Sequence, residues 1–488
     1  MTKQYYLAVD IGATSGRTVL GCYDGEKMEM QEWTRFRNPM IPMQGHLYWD
    51  LPALYNETLA ALKRTADEGI TLRSIGIDTW GCDVALFGND GQLLALPYSY
   101  RDPHTEGAAQ QLFKRISSKT VYERTGIQFM DFNTIFQLDT LRRERSSALS
   151  AVSTILFIPD ALSYLLTGHA VMEYTVASTS QLLNPTQGDL DPKLLTIIGL
   201  NRTKFPPLVK PGTVVGALSR QVATVTGLEG TPVVAVAGHD TASAVAAIPE
   251  SDPDYAYLSC GTWSLLGIET PHPIITPQSR RMNFTNEGGI DGTTRFLKNI
   301  CGLWLMEQCR KEWTDVPENV NELNALCLTS TYEGLINPDH PSFAHPQSMT
   351  EAITHYCQDT QQATPETPAD FLRCIFRSLA LRYRQVTEML ALLSPHPIKR
   401  LHVIGGGSKN KHLMQMTADA MNMPVVCGPT EGTALGNLLI QARAAGNITT
   451  YTHLKQIAEA STTLTTYTPK QPAAMSNLYT HFMKIQTT

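Results

Sequence analysis

The sequence predicts an α/β protein of two related halves, and three observations predict it. A short strand ending in a carboxylate runs into a glycine-bracketed turn of small hydroxyl residues, Ala8-Val9-Asp10-Ile11-Gly12-Ala13-Thr14-Ser15-Gly16-Arg17. The same strand, small turn, strand order returns midway at residues 255–267, with Gly261-Thr262 as the turn. Later, the run Gly405-Gly406-Gly407-Ser408-Lys409-Asn410 joins a strand at 401–404 to a helix carrying His412, Leu413, Met416 and Ala420.

The first turn has the chemistry of an anion cradle, because small residues leave backbone N–H groups unshielded and Arg17 adds charge. It is neither a P-loop nor a dinucleotide fingerprint. Both require a helix directly after the turn, whereas residues 18–23 read as a second strand and Asp24-Gly25 as a hairpin turn into an extended stretch at 28–37. Asp50-Leu51-Pro52 then starts a helix with Leu54, Leu59, Leu62 and Ala66 on one face, and Gly69 stops it. Residues 73–80 read as a buried strand, followed by a hairpin closed by Asn89-Asp90-Gly91. Three strands, a helix and a strand are the element order of the actin/hexokinase-like (ribonuclease H-like) nucleotide-binding domain. Its second copy begins with the strand 231–237, the run Gly238-His239-Asp240-Thr241-Ala242-Ser243-Ala244 and the hairpin at 255–267. Two such domains, divided here at 1–240 and 241–488, would carry a catalytic cleft between them. Pro206–Gly212 reads as a rigid surface loop, and a short strand at 463–467 among closing helices ends the fold.

Composition narrows the class. A net charge of -6, with 17% charged and 42% hydrophobic residues, offers no basic stripe for nucleic acid. No stretch approaches the roughly 18 apolar residues of a membrane span, and the opening apolar run is broken by Asp10. Nine cysteines without a Cys-x-x-Cys pair are read as reduced thiols of a cytoplasmic protein, with Cys357 and Cys374 a pair that two helices could bring close.

Several stretches together resemble the FGGY family of carbohydrate kinases over nearly the whole chain. They are AVDIGATSGR, GIDTWGCDVAL, YRDPHT, PDALSYLLTG, GHDTASAV, LSCGTWSLLG, TNEGG at 285–289, LKNICGLWL, VIGGGSKN and TALGN at 433–437. The Asp-Thr-Trp-Gly and Lys-Asn-Ile-x-Gly-Leu-Trp runs are similar to the subgroup acting on L-rhamnulose. The resemblance implies transfer of the γ-phosphoryl group of ATP to L-rhamnulose with Mg²⁺, giving the 1-phosphate. Another ketose, such as L-fuculose or a pentulose, is the nearer alternative. An actin-like nucleotide-gated binding protein is the distant one, and residues 411–488 leave little room for its peptide-binding or polymer-forming module.

The resemblance also assigns residues. Asp240 is the catalytic base, although an Asp before Thr-Ala-Ser-Ala would equally suit a helix N-cap. Ala13, Thr14, Ser15, Gly16 and Arg17 take the ATP phosphates, Thr262 the opposite phosphate turn, and Gly405 and Gly406 the nucleotide. Asp10 is assigned to the metal, with a turn-satisfying Asp as the plain alternative. Gly81, His239, Asp240, Thr241 and Asn299 are assigned to the sugar. A strand-end turn would account for Gly81 and a loop-tying amide for Asn299, while Trp80 reads as core before sugar wall. One position departs: the family expects Gln where Glu307 stands, with Gln308 next, and a carboxylate there repels a nucleotide unless it points away or faces a metal. The expected oligomeric state is a monomer or a homodimer.

Overall fold

The computed structural model describes residues 3–344 and 346–486. Two compact units divide the chain. One comprises Met1–Ser251, Glu269–Phe296 and Gly432–Thr462; the other comprises Asp252–Ile268, Leu297–Glu431 and Thr463–Thr488.

In the first unit β1 (Gln4–Ile11), β2 (Ser15–Tyr23) and β3 (Met28–Arg37) form the expected antiparallel meander, with Asp10 opposite Arg17. Asp24 closes the second turn because its carboxylate accepts the N–H groups of Glu26 and Lys27, each at 2.9 Å. Two further strands, Met40–Met43 and His46–Trp49, pair before the first helix, so five strands and not three precede it. Their turn uses left-handed backbone at Gln44 and Gly45, and no Asn-Gly or Asp-Gly pair announces it.

Helix α1 (Leu51–Asp67) starts where Asp50 accepts the Ala53 N–H at 3.0 Å. It buries Leu51, Leu54, Ala61 and Leu62, while Leu59 and Ala66 lie half-buried at the edge of the same core, and Gly69 leaves the helix at φ 72°. β4 (Leu72–Thr79) then lies parallel to β1 with Asp78 opposite Asp10. Both strands are largely buried, polar residues such as Ser74 and Asp78 included, because the sheet is covered on both faces. The Asn89-Asp90-Gly91 turn forms, with Gly88 N–H donating to the Gln92 carbonyl at 2.9 Å, but only Leu93 returns to pair with Phe87. The strand Val84–Phe87 takes its ladder from Thr154–Phe157 instead. β5 (Thr213–Ala217) and β6 (Pro232–Ala235) complete a sheet ordered β5-β6-β4-β1-β2-β3. The loop expected at Pro206–Gly212 contains a short strand, Leu208–Val209, paired parallel with Met172–Glu173.

Helix α2 (Asp240–Ala246) follows β6 and packs against the helix Gly432–Ala444. The approach is at backbone distance: a Cβ on Gly436 would lie 1.7 Å from the Ser243 carbonyl oxygen. Glycine in the TALGN run is therefore a packing requirement on the helix that carries Asp240.

The second unit repeats the hairpin-plus-parallel-strand arrangement. β7 (Tyr255–Cys260) pairs antiparallel with β8 (Trp263–Thr270), which β9 (Thr294–Cys301) flanks. On its other edge β7 pairs parallel with β10 (Arg400–Ile404), followed by β11 (Val425–Cys427) and the antiparallel β12 (Thr465–Tyr467). The long helix Pro368–Ala391, opened by a Thr367/Asp370 capping box, covers this sheet together with Lys411–Met421. All nine cysteines are free thiols. The Cys357 and Cys374 thiols are neighbours, and their interaction holds Cys357 below and Cys374 above the usual thiol range. Among the described residues no helix is long and apolar enough to cross a membrane.

Candidate active site

The first hairpin turn is a braced loop. Gly12 N–H donates to the Ser15 carbonyl at 2.9 Å, and Asn38 ties the loop down through its N–H to the Thr14 carbonyl and its amide to the Gly12 carbonyl. Thr14 is exposed, Ala13 and Ser15 are half-buried, and Gly16 is required because a Cβ there would sit 2.2 Å from the Phe36 ring. The Arg17 guanidinium donates to one oxygen of Asp10, through Nε at 3.0 Å and Nη2 at 2.8 Å. The candidate metal ligand and the candidate phosphate cation thus form one ion pair at the loop's base.

Next to Asp10 stands a carboxylate that sequence reasoning missed. Asp78 is fully buried on β4; its Oδ2 accepts the Asn437 amide at 2.5 Å, and among the described residues its Oδ1 has no hydrogen-bond partner. Burial first, and the Asp10 charge second, push its carboxyl well above the usual range; Asn437 opposes the shift and Asp240 adds to it. The signal was available in the repeated pattern of an Asp closing an apolar strand, VDIG and IDTW.

Thr79 N–H donates to the Gly238 carbonyl at 2.9 Å and brings the end of β4 to the His239-Asp240-Thr241 segment. The N-cap of α2 is His239, without a side-chain cap bond, so Asp240 is the first helical residue and not the cap. Its Oδ1 accepts the Thr241 N–H at 2.5 Å and the Thr241 hydroxyl at 3.1 Å. Among the described residues its Oδ2 accepts no hydrogen bond, and the side chain keeps about a third of its surface exposed at 31%. Asp240 is therefore an oriented carboxylate with one oxygen open.

Gly81 is explained by packing: a Cβ would lie 2.8 Å from the Thr179 hydroxyl, which accepts the Cys82 N–H at 2.9 Å. The neighbouring Asp83 is a second carboxylate that sequence reasoning missed. It is buried and accepts hydrogen bonds from both indoles, Trp49 at 2.6 Å and Trp80 at 2.9 Å, from Gln137 at 2.8 Å and from the Tyr100 N–H at 3.0 Å. Burial pushes its carboxyl up to about 6 against those four donors. Trp80 is core, packed against Trp49 with ring centroids 4.3 Å apart and planes tilted by 42°.

In the second unit Thr262 occupies the turn between β7 and β8, closed by Gly261 N–H to the Trp263 carbonyl at 2.9 Å. That turn is seated on Gly302 and Leu303, whose N–H groups donate to the Thr262 and Gly261 carbonyls. A Cβ on Gly302 would lie 2.6 Å from the Trp263 carbonyl carbon, so no side chain fits. The glycine run docks on the same strand end: Gly405, at φ 83°, and Gly407 approach Cys260, while a Cβ on Gly406 would meet nothing within 4 Å. Thr262, Gly405 and Gly406 therefore gather at one end of β7, and Gly406 presents open backbone. Asn299 is half-buried on β9, three residues before Gly302. Glu307 lies on the helix Trp304–Glu312 with a half-exposed carboxylate 3.9 Å from Arg310, and Gln308 accepts from Lys311 at 3.3 Å.

Residues 5–247 match the N-terminal domain, and residues 256–445 the C-terminal domain, of the FGGY family of carbohydrate kinases. A protein of Bacteroides thetaiotaomicron named rhamnulokinase is 52% identical over 98% of this chain and 99% of its own. Rhamnulokinase of Pectobacterium carotovorum is 41% identical over 100% of this chain and 97% of its own. In structure, gluconate kinase from Lactobacillus acidophilus superposes with a TM-score of 0.83 at 17% identity, covering 100% of this chain and 98% of its own. Xylulose kinase from the same organism gives 0.81, also at 17% identity, covering 99% of this chain and 98% of its own; the two share the fold. Matched in both domains and by full-length relatives, the chain belongs to the FGGY family of carbohydrate kinases.

Proposed function

We propose that this protein transfers the γ-phosphoryl group of ATP to the C1 hydroxyl of L-rhamnulose, producing L-rhamnulose 1-phosphate and ADP in the cytoplasm. The observation that carries the reading is Asp240, a carboxylate whose Oδ1 is fixed by Thr241 and whose Oδ2 is open. The name shared by the full-length relatives supports the choice of sugar.

Phosphoryl transfer passes through a loose transition state, so catalysis rests on alignment and on dispersing charge. Asp240 Oδ2 takes the proton of the attacking hydroxyl. Gly81, His239, Thr241 and Asn299 are assigned to the sugar, Ala13, Thr14, Ser15, Gly16 and Arg17 to the ATP phosphates, Thr262 to the second phosphate turn, and Gly405 and Gly406 to the nucleoside. Asp10, with the Oδ1 of Asp78, unpartnered among the described residues, beside it, fits Mg²⁺, a hard cation that favours one or two carboxylates plus phosphate and water oxygens over an all-protein cage. When bound with ATP, the ion neutralises charge on the phosphate oxygens.

The reading is tested by coupled ADP release from purified protein with Mg-ATP, comparing L-rhamnulose, L-fuculose, D- and L-xylulose, L-ribulose and glycerol. Preference for L-rhamnulose is expected. Preference for another sugar corrects the substrate, and acceptor-independent ATP hydrolysis overturns the kinase reading.

A further inference from the structure

The TNEGG run has no part in the site described so far, yet it supplies Glu287, and β9 supplies Arg295 beside it. Arg295 is completely buried, a placement that costs several kcal/mol unless its charge is met, and among the described residues its Nη1 has no hydrogen-bond partner. Its Nε donates to the Gly288 carbonyl at 2.8 Å. Its Nη2 lies 3.0 Å from His239 Nδ1 and 3.1 Å from Glu287 Oε2. Glu287 Oε2 is itself 3.3 Å from His239 Nδ1, and the opposite ring nitrogen, Nε2, lies 3.5 Å from Asp240 Oδ1.

A guanidinium donates and never accepts, so the short Arg295–His239 contact requires a lone pair on Nδ1. A neutral imidazole with Nδ1 accepting carries its proton on Nε2, the atom that faces Asp240. Oδ1 of Asp240 then has three donors around it, the Thr241 N–H, the Thr241 hydroxyl and the His239 Nε2–H. Oδ2 is left as the basic oxygen. Glu287 compensates the buried guanidinium. The backbone of the turn is held separately, by Glu173 Oε2 on Gly238 N–H at 2.9 Å and by the Thr175 hydroxyl on His239 N–H at 3.2 Å. Ring orientation is thus the task left to Arg295.

We propose that Arg295, neutralised by Glu287, is a positioning residue that fixes the Nε2–H tautomer of His239 and so selects Oδ2 of Asp240 as the proton acceptor. The proposal rests on Asp240 being the base.

The first test needs no variant of the network. In protein labelled with ¹⁵N-histidine, the His239 signal, identified by its loss in His239→Gln, is expected to show a neutral ring protonated on Nε2. A ring protonated on Nδ1 and donating to Glu287, or a doubly protonated ring, overturns the proposal. In kinetics, Arg295→Met is expected to lower kcat by about 10- to 100-fold, the usual cost of removing an orienting partner, with the KM for ATP unchanged. Arg295→Lys, which restores a donor, is expected to recover most of that loss. Wild-type kcat in Arg295→Met overturns the proposal; if that variant fails to fold, the tautomer measurement decides. Turnover retained in Asp240→Asn would instead overturn the assignment of the base, whereas an inactive Asp240→Asn beside a fully active Arg295→Met would overturn only the positioning role.

Discussion

Asp10 and Asp78 stand opposite one another on adjacent parallel strands, and Arg17 forms its ion pair with Asp10. Asp78 accepts the Asn437 amide at one oxygen, and its buried Oδ1 has no hydrogen-bond partner among the described residues. A pair of carboxylates so placed is an arrangement that a divalent cation completes. Asp10→Asn is expected to raise the Mg²⁺ concentration at half-maximal rate by about tenfold or more, and Asp78→Asn to raise it less. A metal titration of ADP release checks both, and unchanged midpoints would remove these residues from the metal site.

Asp240→Asn keeps the shape of the side chain and removes its basicity. Turnover is expected to fall by about 10²- to 10⁴-fold, the range for loss of a general base, while ATP binding by calorimetry stays intact. A parallel loss of ATP affinity would point to a binding role instead.

Gly302→Ala places a methyl group against the backbone of the turn that carries Thr262, with 2.6 Å to the Trp263 carbonyl carbon. The turn has to shift, which costs about 1–3 kcal/mol of overpacking. The KM for ATP is expected to rise with that for the sugar little changed. Equal changes in both would indicate general destabilisation.

Glu307 sits half-exposed within 3.9 Å of Arg310, so its charge is met on its own helix. Glu307→Gln is expected to leave ATP affinity equal or improved. A large loss by calorimetry would make Glu307 itself a nucleotide contact.

Asp83 carries a pH signature. Its carboxyl titrates near 6 in the fold, above an unfolded value near 4, so the folded chain binds the proton more tightly. This contribution is complete below about pH 4 and is lost as pH rises through about 6, a change of about 3 kcal/mol. Denaturant unfolding of wild type minus Asp83→Asn is therefore expected to fall across that window and to be flat above about pH 7. A difference flat throughout would show that Asp83 titrates normally.

The legible part of the site lay in local patterns. The braced loop at 12–15, the hairpin about Thr262 and the turn at Gly405 each follow from small residues between apolar strands, and each formed where the spacing put it. The strands Met40–Met43 and His46–Trp49 were not legible, because their turn at Gln44-Gly45 carries none of the residues that normally mark a hairpin. Nor was the real ladder partner of Val84–Phe87, which lies some seventy residues away at Thr154–Phe157.

By itself the sequence determined the element order, the two hairpins and the family, since these depend on periodicity, turn chemistry and motifs that neighbouring residues complete. Only the tertiary structure decided what surrounds each candidate. It set Asp78 beside Asp10, Asn437 on Asp78, four donors on Asp83 and Arg295 on His239, contacts between residues up to 359 positions apart. The reason is physical: a carboxylate's chemistry depends on its desolvation and on the nearest donors and charges, and both are properties of packing that no local pattern encodes.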